Sequence, residues 1–257
     1  MRSKFSEVHP NARIHDNVFI SPFTFIAEDV EIGEGSWIAP NVTILDGARI
    51  GKNVKIHSGA VISGDPQDLK YKGEKTTAEI GDNSVIRECV TFNKGTSDRN
   101  KTSLGKNCLL MAYVHLAHDC IVGDNCILAN SVGLAGHITI EDFAILEGSV
   151  VVQQFVTIGA HSFIAGTTPV RKNVPPFVKA AREPIQYVGV NSIGLSRRGF
   201  SKESVQQIED IYRIIFVKGF NMTKALEMIE NEIPASAEKN QILNFIRNSK
   251  DGVIKGI

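Results

Sequence analysis

The chain contains no run of about eighteen apolar residues, so nothing in it reads as a membrane-spanning helix. The opening Met1-Arg-Ser-Lys-Phe5 is followed by no apolar core of a leader, which points to a cytoplasmic location. Cysteine is scarce. Cys89, Cys108, Cys120 and Cys126 form no Cys-x-x-Cys pair, which argues against a disulfide framework or a zinc ribbon. No phosphate-binding loop, dinucleotide fingerprint or nucleophile motif is present, so neither a bound cofactor nor a metal is expected. Charge of one sign is also missing overall, since 28 Lys and Arg balance 28 Asp and Glu. No basic excess marks a nucleic-acid partner. The balance is uneven along the chain: residues 1–170 hold 14 basic against 19 acidic groups, and residues 171–257 hold 14 against 9. A basic second part suits an acidic partner, or is simply the solvated surface of helices.

What the chain has is a ladder of apolar residues six apart. It runs from Val8, Ile14 and Ile20 to Ile62, resumes at Ile80, Ile86 and Phe92, and resumes again from Leu104 to Val170. Of the 28 positions in this register only Asp68, Glu74 and Asp98 are not apolar. Neither the helical period of 3.6 nor the strand period of 2 yields a strict six. Six residues make a short strand and a turn, and three such units close a triangular coil. The residue two before each rung is small or β-branched, as at Val18, Ser36 and Ala60, and three of the cysteines take this position as small core residues. The fold expected is an all-β solenoid of hexapeptide repeats over residues 1–172, followed by a small α-helical domain over 173–257.

Polar stretches 63–79 and 93–103 interrupt the ladder without shifting its register, and read as loops expelled from the prism. Pro175 and Pro176 read as the end of the coils. Helices are expected over 201–218, 223–232 and 236–249, capped by Ser201, Thr223 and Ser236.

The densest polar cluster is Met111-Ala-Tyr-Val-His-Leu-Ala-His-Asp-Cys120. With eighteen residues per coil, His118, Gly136, Gln154 and Lys172 stack in one column, and His137 lies beside Gly136. An imidazole, an adjacent carboxylate and a glycine N–H one coil away suit a general base, its orienting group and an oxyanion donor. Polar residues at exposed coil corners are the plain alternative for His115, His118 and His137. Three histidines also raise a zinc site, although their spacing is not a standard ligand set. His9, His15 and His57 read as corner residues.

The ladder resembles that of the left-handed parallel β-helix acyltransferases. The segments Pro66-Gln-Asp-Leu-Lys-Tyr-Lys-Gly-Glu74, His115-Leu-Ala-His-Asp-Cys120, Leu134-Ala-Gly-His137, Gln154-Phe155 and Asn191-Ser-Ile-Gly-Leu-Ser-Arg-Arg-Gly-Phe200 resemble, more narrowly, the UDP-N-acetylglucosamine O-acyltransferases that begin lipid A biosynthesis. The resemblance implies a homotrimer with sites between protomers, transferring a 3-hydroxyacyl group from acyl carrier protein to the glucosamine 3-hydroxyl. It implies His118 as base, Asp119 as its partner and Gly136 as oxyanion donor. It places Asp68, Lys70, His115, His137 and Gln154 on the substrate, and Asn191, Arg197 and Arg198 on UDP or the pantetheine phosphate. Gly166 falls where the family sets chain length. The chain departs from the family at Ile193, Gln153 and Asn93, where a glutamate and two histidines are common. An N-acyl sister enzyme, a zinc hydrolase on the same solenoid and a purely structural β-helix are the competing readings.

Overall fold

Six residues per unit leave room for a strand of two residues and a corner of four. Strands of that length recur along the chain, as at Thr43–Ile44 and Ile127–Leu128. The computed structural model describes residues 2–256, so Met1 and Ile257, the outer ends of the expected units, lie outside it.

Among the described residues, stacked strands form three faces of a prism. The first face has nine strands from Glu7–Val8 to Pro169–Val170, and the second has eight from Arg13–Ile14 to Thr157–Ile158. The third has ten, starting at Phe19–Ile20. Pairing is parallel and in register at one coil, so Leu116 lies between Phe92 and Leu134, and Leu134 between Leu116 and Val152. The rungs fill the interior, and nearly all of them are buried. Both loops preserve this stacking, since Ile50 pairs with Ile80 across the first and Ile80 with Leu104 across the second. They are shorter than expected, because strands Val61–Gly64, Thr77–Ile80, Thr91–Asn93 and Lys101–Leu104 take up their ends. Each loop leaves the first face and returns on the second, so both emerge at the same corner.

Corners turn through left-handed backbone. The third residue after a rung has positive φ at Asn41, Asn53, Asn83, Asn107 and Asn125, and also at Asp119 (φ 60°) and His137 (φ 63°). Asparagine tolerates this region better than most side chains, which explains its recurrence there. The position two before a rung does more than fill space. Ser36, Ser84 and Cys120 each donate to a backbone carbonyl of the next coil, the last from Sγ to Ala135 O at 3.0 Å. The cysteines thus stand in for serine, and burial pushes the Cys120 thiol up to about 12.

Pro175 and Pro176 do not end the stacking. Strand Val178–Ala181 adds to the third face in parallel, and Gln186–Val190 returns antiparallel to it. Among the described residues four helices follow: α1 (Ser192–Arg197), α2 (Lys202–Phe216), α3 (Met222–Glu232) and α4 (Ala237–Asn248). Ser201 and Ser236 cap α2 and α4 as expected. Asn221 rather than Thr223 caps α3, its side-chain oxygen accepting from Lys224 N at 2.9 Å. Tyr212 ties α2 to the solenoid by donating to Pro176 O at 2.6 Å. Among the described residues no helix is long and apolar enough to cross a membrane.

Leu116 is fully buried beneath His115 and His118. Leu116→Ala is expected to cost about 3 kcal/mol in chemical denaturation. A loss below about 1 kcal/mol would contradict a close-packed prism at this coil.

Candidate active site

The corner between the first and second faces collects the chemistry. His118 and Asp119 sit two and three residues past rung Leu116, and the loop segments near residues 68 and 98 leave the solenoid at this same corner. These two corner residues are not exposed: His118 is 4% accessible and Asp119 is fully buried. The second loop is what covers Asp119. Its carboxylate accepts from Thr96 Oγ1 at 2.7 Å and from the Thr96 and Arg99 N–H groups at 3.1 Å. Its own N–H donates to Thr102 Oγ1 at 2.8 Å. Burial alone raises the Asp119 carboxyl, but the hydrogen bonds from Thr96, His118 and Arg99 outweigh it, and the group titrates below the ordinary carboxylate range.

An ionised carboxylate only accepts. His118 Nδ1, 2.8 Å from Asp119 Oδ2, is therefore the donor, which in the neutral imidazole leaves the lone pair on Nε2. Asp68 from the first loop places Oδ2 4.0 Å from that nitrogen. Gly136 also lies against the ring. A Cβ there would meet His118 Cε1 at 2.6 Å and Nε2 at 2.7 Å, so only glycine lets the ring stand where it does. Among the described residues no acceptor takes the Gly136 N–H. His137 stands edge-on to His118 with ring centroids 5.0 Å apart, and Phe155 stacks on its other face at 4.8 Å. Its Nδ1 is 3.0 Å from Asp98 Oδ2 but off the line of a hydrogen bond.

His118, Asp119 and His137 have ligand atoms within 4.8 Å of one another. Both Asp119 oxygens already carry hydrogen bonds, so a metal here would have to displace Thr96 and Arg99. The donor set is better matched to orienting an imidazole than to a cation.

Other expected residues are placed less centrally. His115 is half-buried on the first face, its Nδ1 2.7 Å from Thr91 Oγ1, and burial lowers its pKa. Gln154 follows in the same column as Gly136 and is exposed, as is Lys70 on the first loop. Lys172, one coil further on, is drawn off to Asp251 O at 3.0 Å. Asn191, Arg197, Arg198 and Gly166 are at other corners of the prism. Asn191 spends both side-chain atoms internally, capping α1 and donating to His161 O at 2.9 Å. Arg198 donates Nη2 to Phe143 O at 3.0 Å, while its Nη1 is buried without a partner; Arg197 is exposed. These belong to the corner between the second and third faces, and Gly166 to the corner between the third and first, its N–H on Glu147 Oε2 at 3.0 Å. The residues that sequence reasoning missed are Thr96 and Arg99, whose loop lies outside the six-residue period, and His161 with its aromatic stack.

His161 lies between Phe143 (4.8 Å) and Phe177 (5.5 Å). Burial, and then the charge of Arg198, lowers its pKa from 6.5 to about 4.

The comparisons with known proteins agree with one another. Residues 29–64 and 101–136 match the family described as bacterial transferase hexapeptide (six repeats), and residues 173–254 match UDP-N-acetylglucosamine O-acyltransferase, domain 2. A Sulfurihydrogenibium protein named acyl-[acyl-carrier-protein]–UDP-N-acetylglucosamine O-acyltransferase is 53% identical over 96% of this chain and 94% of its own length. A Chlorobaculum tepidum protein of the same name is 62% identical over 72% and 70%. Among solved structures, the UDP-N-acetylglucosamine acyltransferase of Bacteroides fragilis superposes with a TM-score of 0.98 at 48% identity, covering 99% of this chain and all of that one. The coils form the left-handed parallel β-helix of these proteins, with a small helical region after it.

A neutral His161 sets an acid limit on stability. Above pH 6.5 the group is neutral whether folded or not, and its contribution is intact. As pH falls from 6.5 towards 4, the unfolded chain binds a proton that the folded one refuses, and stability is lost. His161→Phe keeps the stack and removes the titration. Its melting temperature should therefore fall less than that of the parent between pH 6.5 and 4.5; equal falls would contradict the assignment.

Proposed function

The chain belongs to the UDP-N-acetylglucosamine O-acyltransferase family, and on that premise we propose that His118 is the general base of acyl transfer. The reaction is transfer of an acyl group from acyl carrier protein to UDP-N-acetylglucosamine, the first step of lipid A biosynthesis. The proposed acceptor is the glucosamine 3-hydroxyl and the proposed cargo a 3-hydroxyacyl chain.

The observation that carries the base assignment is the Nδ1–Asp119 bond of 2.8 Å beside an unspent Gly136 N–H. His118 Nε2 removes the proton of the sugar hydroxyl as its oxygen attacks the thioester carbonyl. Asp119 stabilises the imidazolium that forms. The negative charge on the carbonyl oxygen is met by the Gly136 N–H. The intermediate collapses with cleavage of the C–S bond, and His118 returns its proton to the departing thiolate. No covalent enzyme intermediate is needed.

In this reading Asp68, Lys70, His115, His137 and Gln154 hold the sugar nucleotide at the His118 corner. Asn191 fixes α1, so that Arg197 and Arg198 face the phosphates, and Gly166 leaves room for the end of the acyl chain. In one protomer these residues are spread over three corners of the prism. That separation favours a homotrimer, in which corners of neighbouring protomers face one another across each cleft. The expected division at 172/173 cuts through the stacking of the third face, and the part read as receiving the acidic carrier protein in the cytoplasm is the helices after Val190.

His118→Ala is expected to lower turnover by at least three orders of magnitude while the melting temperature stays near that of the parent. Turnover within tenfold of the parent, with acyl carrier protein thioester and UDP-N-acetylglucosamine saturating, would refute the base assignment.

A further inference from the structure

Among the described residues, Thr96 and Arg99 carry the side-chain hydrogen bonds from loop 94–100 to the solenoid, while Asp98 only approaches His137. Arg99 Nη1 donates to Asp119 O at 2.8 Å and approaches Ile138 O and Thr139 Oγ1 at 3.4 Å each. Asp119 belongs to the coil of the base, and Ile138 follows Gly136 and His137 on the next coil. The ordinary ladder also joins these coils, through His137 N to His118 O at 3.1 Å and Ile121 N to Ile138 O at 2.8 Å. Arg99 adds a cross-brace where the chain passes from corner to strand. Its backbone N–H meanwhile donates to Asp119 Oδ1 at 3.1 Å. One residue thus holds the carboxylate that orients His118 and spans towards the coil that carries the oxyanion donor.

We propose that Arg99 is a positioning residue for acyl transfer, its guanidinium fixing the distance between the His118 ring and the Gly136 N–H. The proposal rests on His118 being the base. Arg99 touches no reacting atom; it acts through the spacing of the two groups that do. Misplacement by about 1 Å costs on the order of a hundredfold in rate, so a brace at this point is felt in the chemical step rather than in binding. Arginine suits the task because its planar guanidinium holds the N–H directions of Nη1 fixed, whereas a lysine ammonium rotates on a flexible stem.

The molecule contains its own control. Arg49 Nη1 donates to Asp29 O at 2.8 Å, at the same kind of corner in an earlier coil. Asp29 has no histidine before it and forms ion pairs instead, with Arg49 and Arg13. Removing either arginine takes the same bond from the solenoid, but only Arg99 braces the reacting groups.

The test compares Arg99→Ala, Arg99→Lys and Arg49→Ala in steady-state acyl transfer, with thermal melts of each. Arg99→Ala is expected to lower kcat at least tenfold with KM for UDP-N-acetylglucosamine within twofold of the parent. Arg99→Lys is expected to recover part of that loss. Arg49→Ala is expected to lower the melting temperature with kcat unchanged. Parental kcat in Arg99→Ala, or an equal loss of kcat in Arg49→Ala, would overturn the proposal. Should Arg99→Ala fail to fold, Arg99→Gln is held to the same split of kcat against KM. His118→Ala is assayed alongside. If it turns over, the base assignment fails whatever Arg99 does; if it is dead while Arg99→Ala is normal, only the present proposal fails.

Discussion

Every coil without an insertion must turn three times within eighteen residues and still leave each short strand in register with the next. That constraint is met by a left-handed residue at most corners, backed by a hydrogen bond to the coil before, as in His137 N to His118 O. Non-glycine residues resist this conformation, and the stacked ladder holds them there. The consequence reaches beyond the scaffold. Side chains at equivalent corners are stacked one coil apart, so a residue on one coil meets its neighbour eighteen or nineteen positions on. His118, Gly136 and His137 are brought together in this way, and the fit is close enough that a single Cβ on Gly136 would collide with the ring.

A corner alone would leave a histidine in water. Two insertions change that by leaving the prism at the corner where His118 stands. The second buries Asp119 under Thr96 and Arg99, so that the carboxylate stays ionised although it is removed from solvent. The first brings Asp68 up to His118 Nε2 and is itself held by the second, through Asn93 Nδ2 to Asp65 O at 2.9 Å and Lys94 to Asp65 at 2.9 Å. The solenoid supplies spacing, and the loops supply burial and charge. Neither would orient an imidazole without the other.

Much of this was legible before any coordinates. The rungs, the faces and the column through His118, Gly136 and Gln154 follow from counting in sixes and eighteens, because a solenoid has few ways to break its own period. Ser201 and Ser236 were readable as caps from the apolar spacing that follows them. The failures share a cause, which is the absence of period. Thr96 and Arg99 lie on a loop that carries no repeat, so nothing in the sequence tied them to Asp119, 23 and 20 residues on. Strands Val178–Ala181 and Gln186–Val190 were hidden behind two prolines, and α1 is too short to show a helical pattern. Asn221 and Thr223 are both good caps, and only the backbone decides between them. The expectation that corner polar groups are exposed failed at His118 because both loops cover that corner.

Acyl transfer by this site turns on geometry, with one nitrogen of one histidine facing the hydroxyl that is acylated. A crystal structure of the protein with bound UDP-N-acetylglucosamine measures it directly. The glucosamine 3-hydroxyl oxygen is expected within about 3.2 Å of His118 Nε2, with Nδ1 still on Asp119. A fully occupied sugar whose 3-hydroxyl lies beyond about 5 Å of that nitrogen, with no water between them, would contradict it.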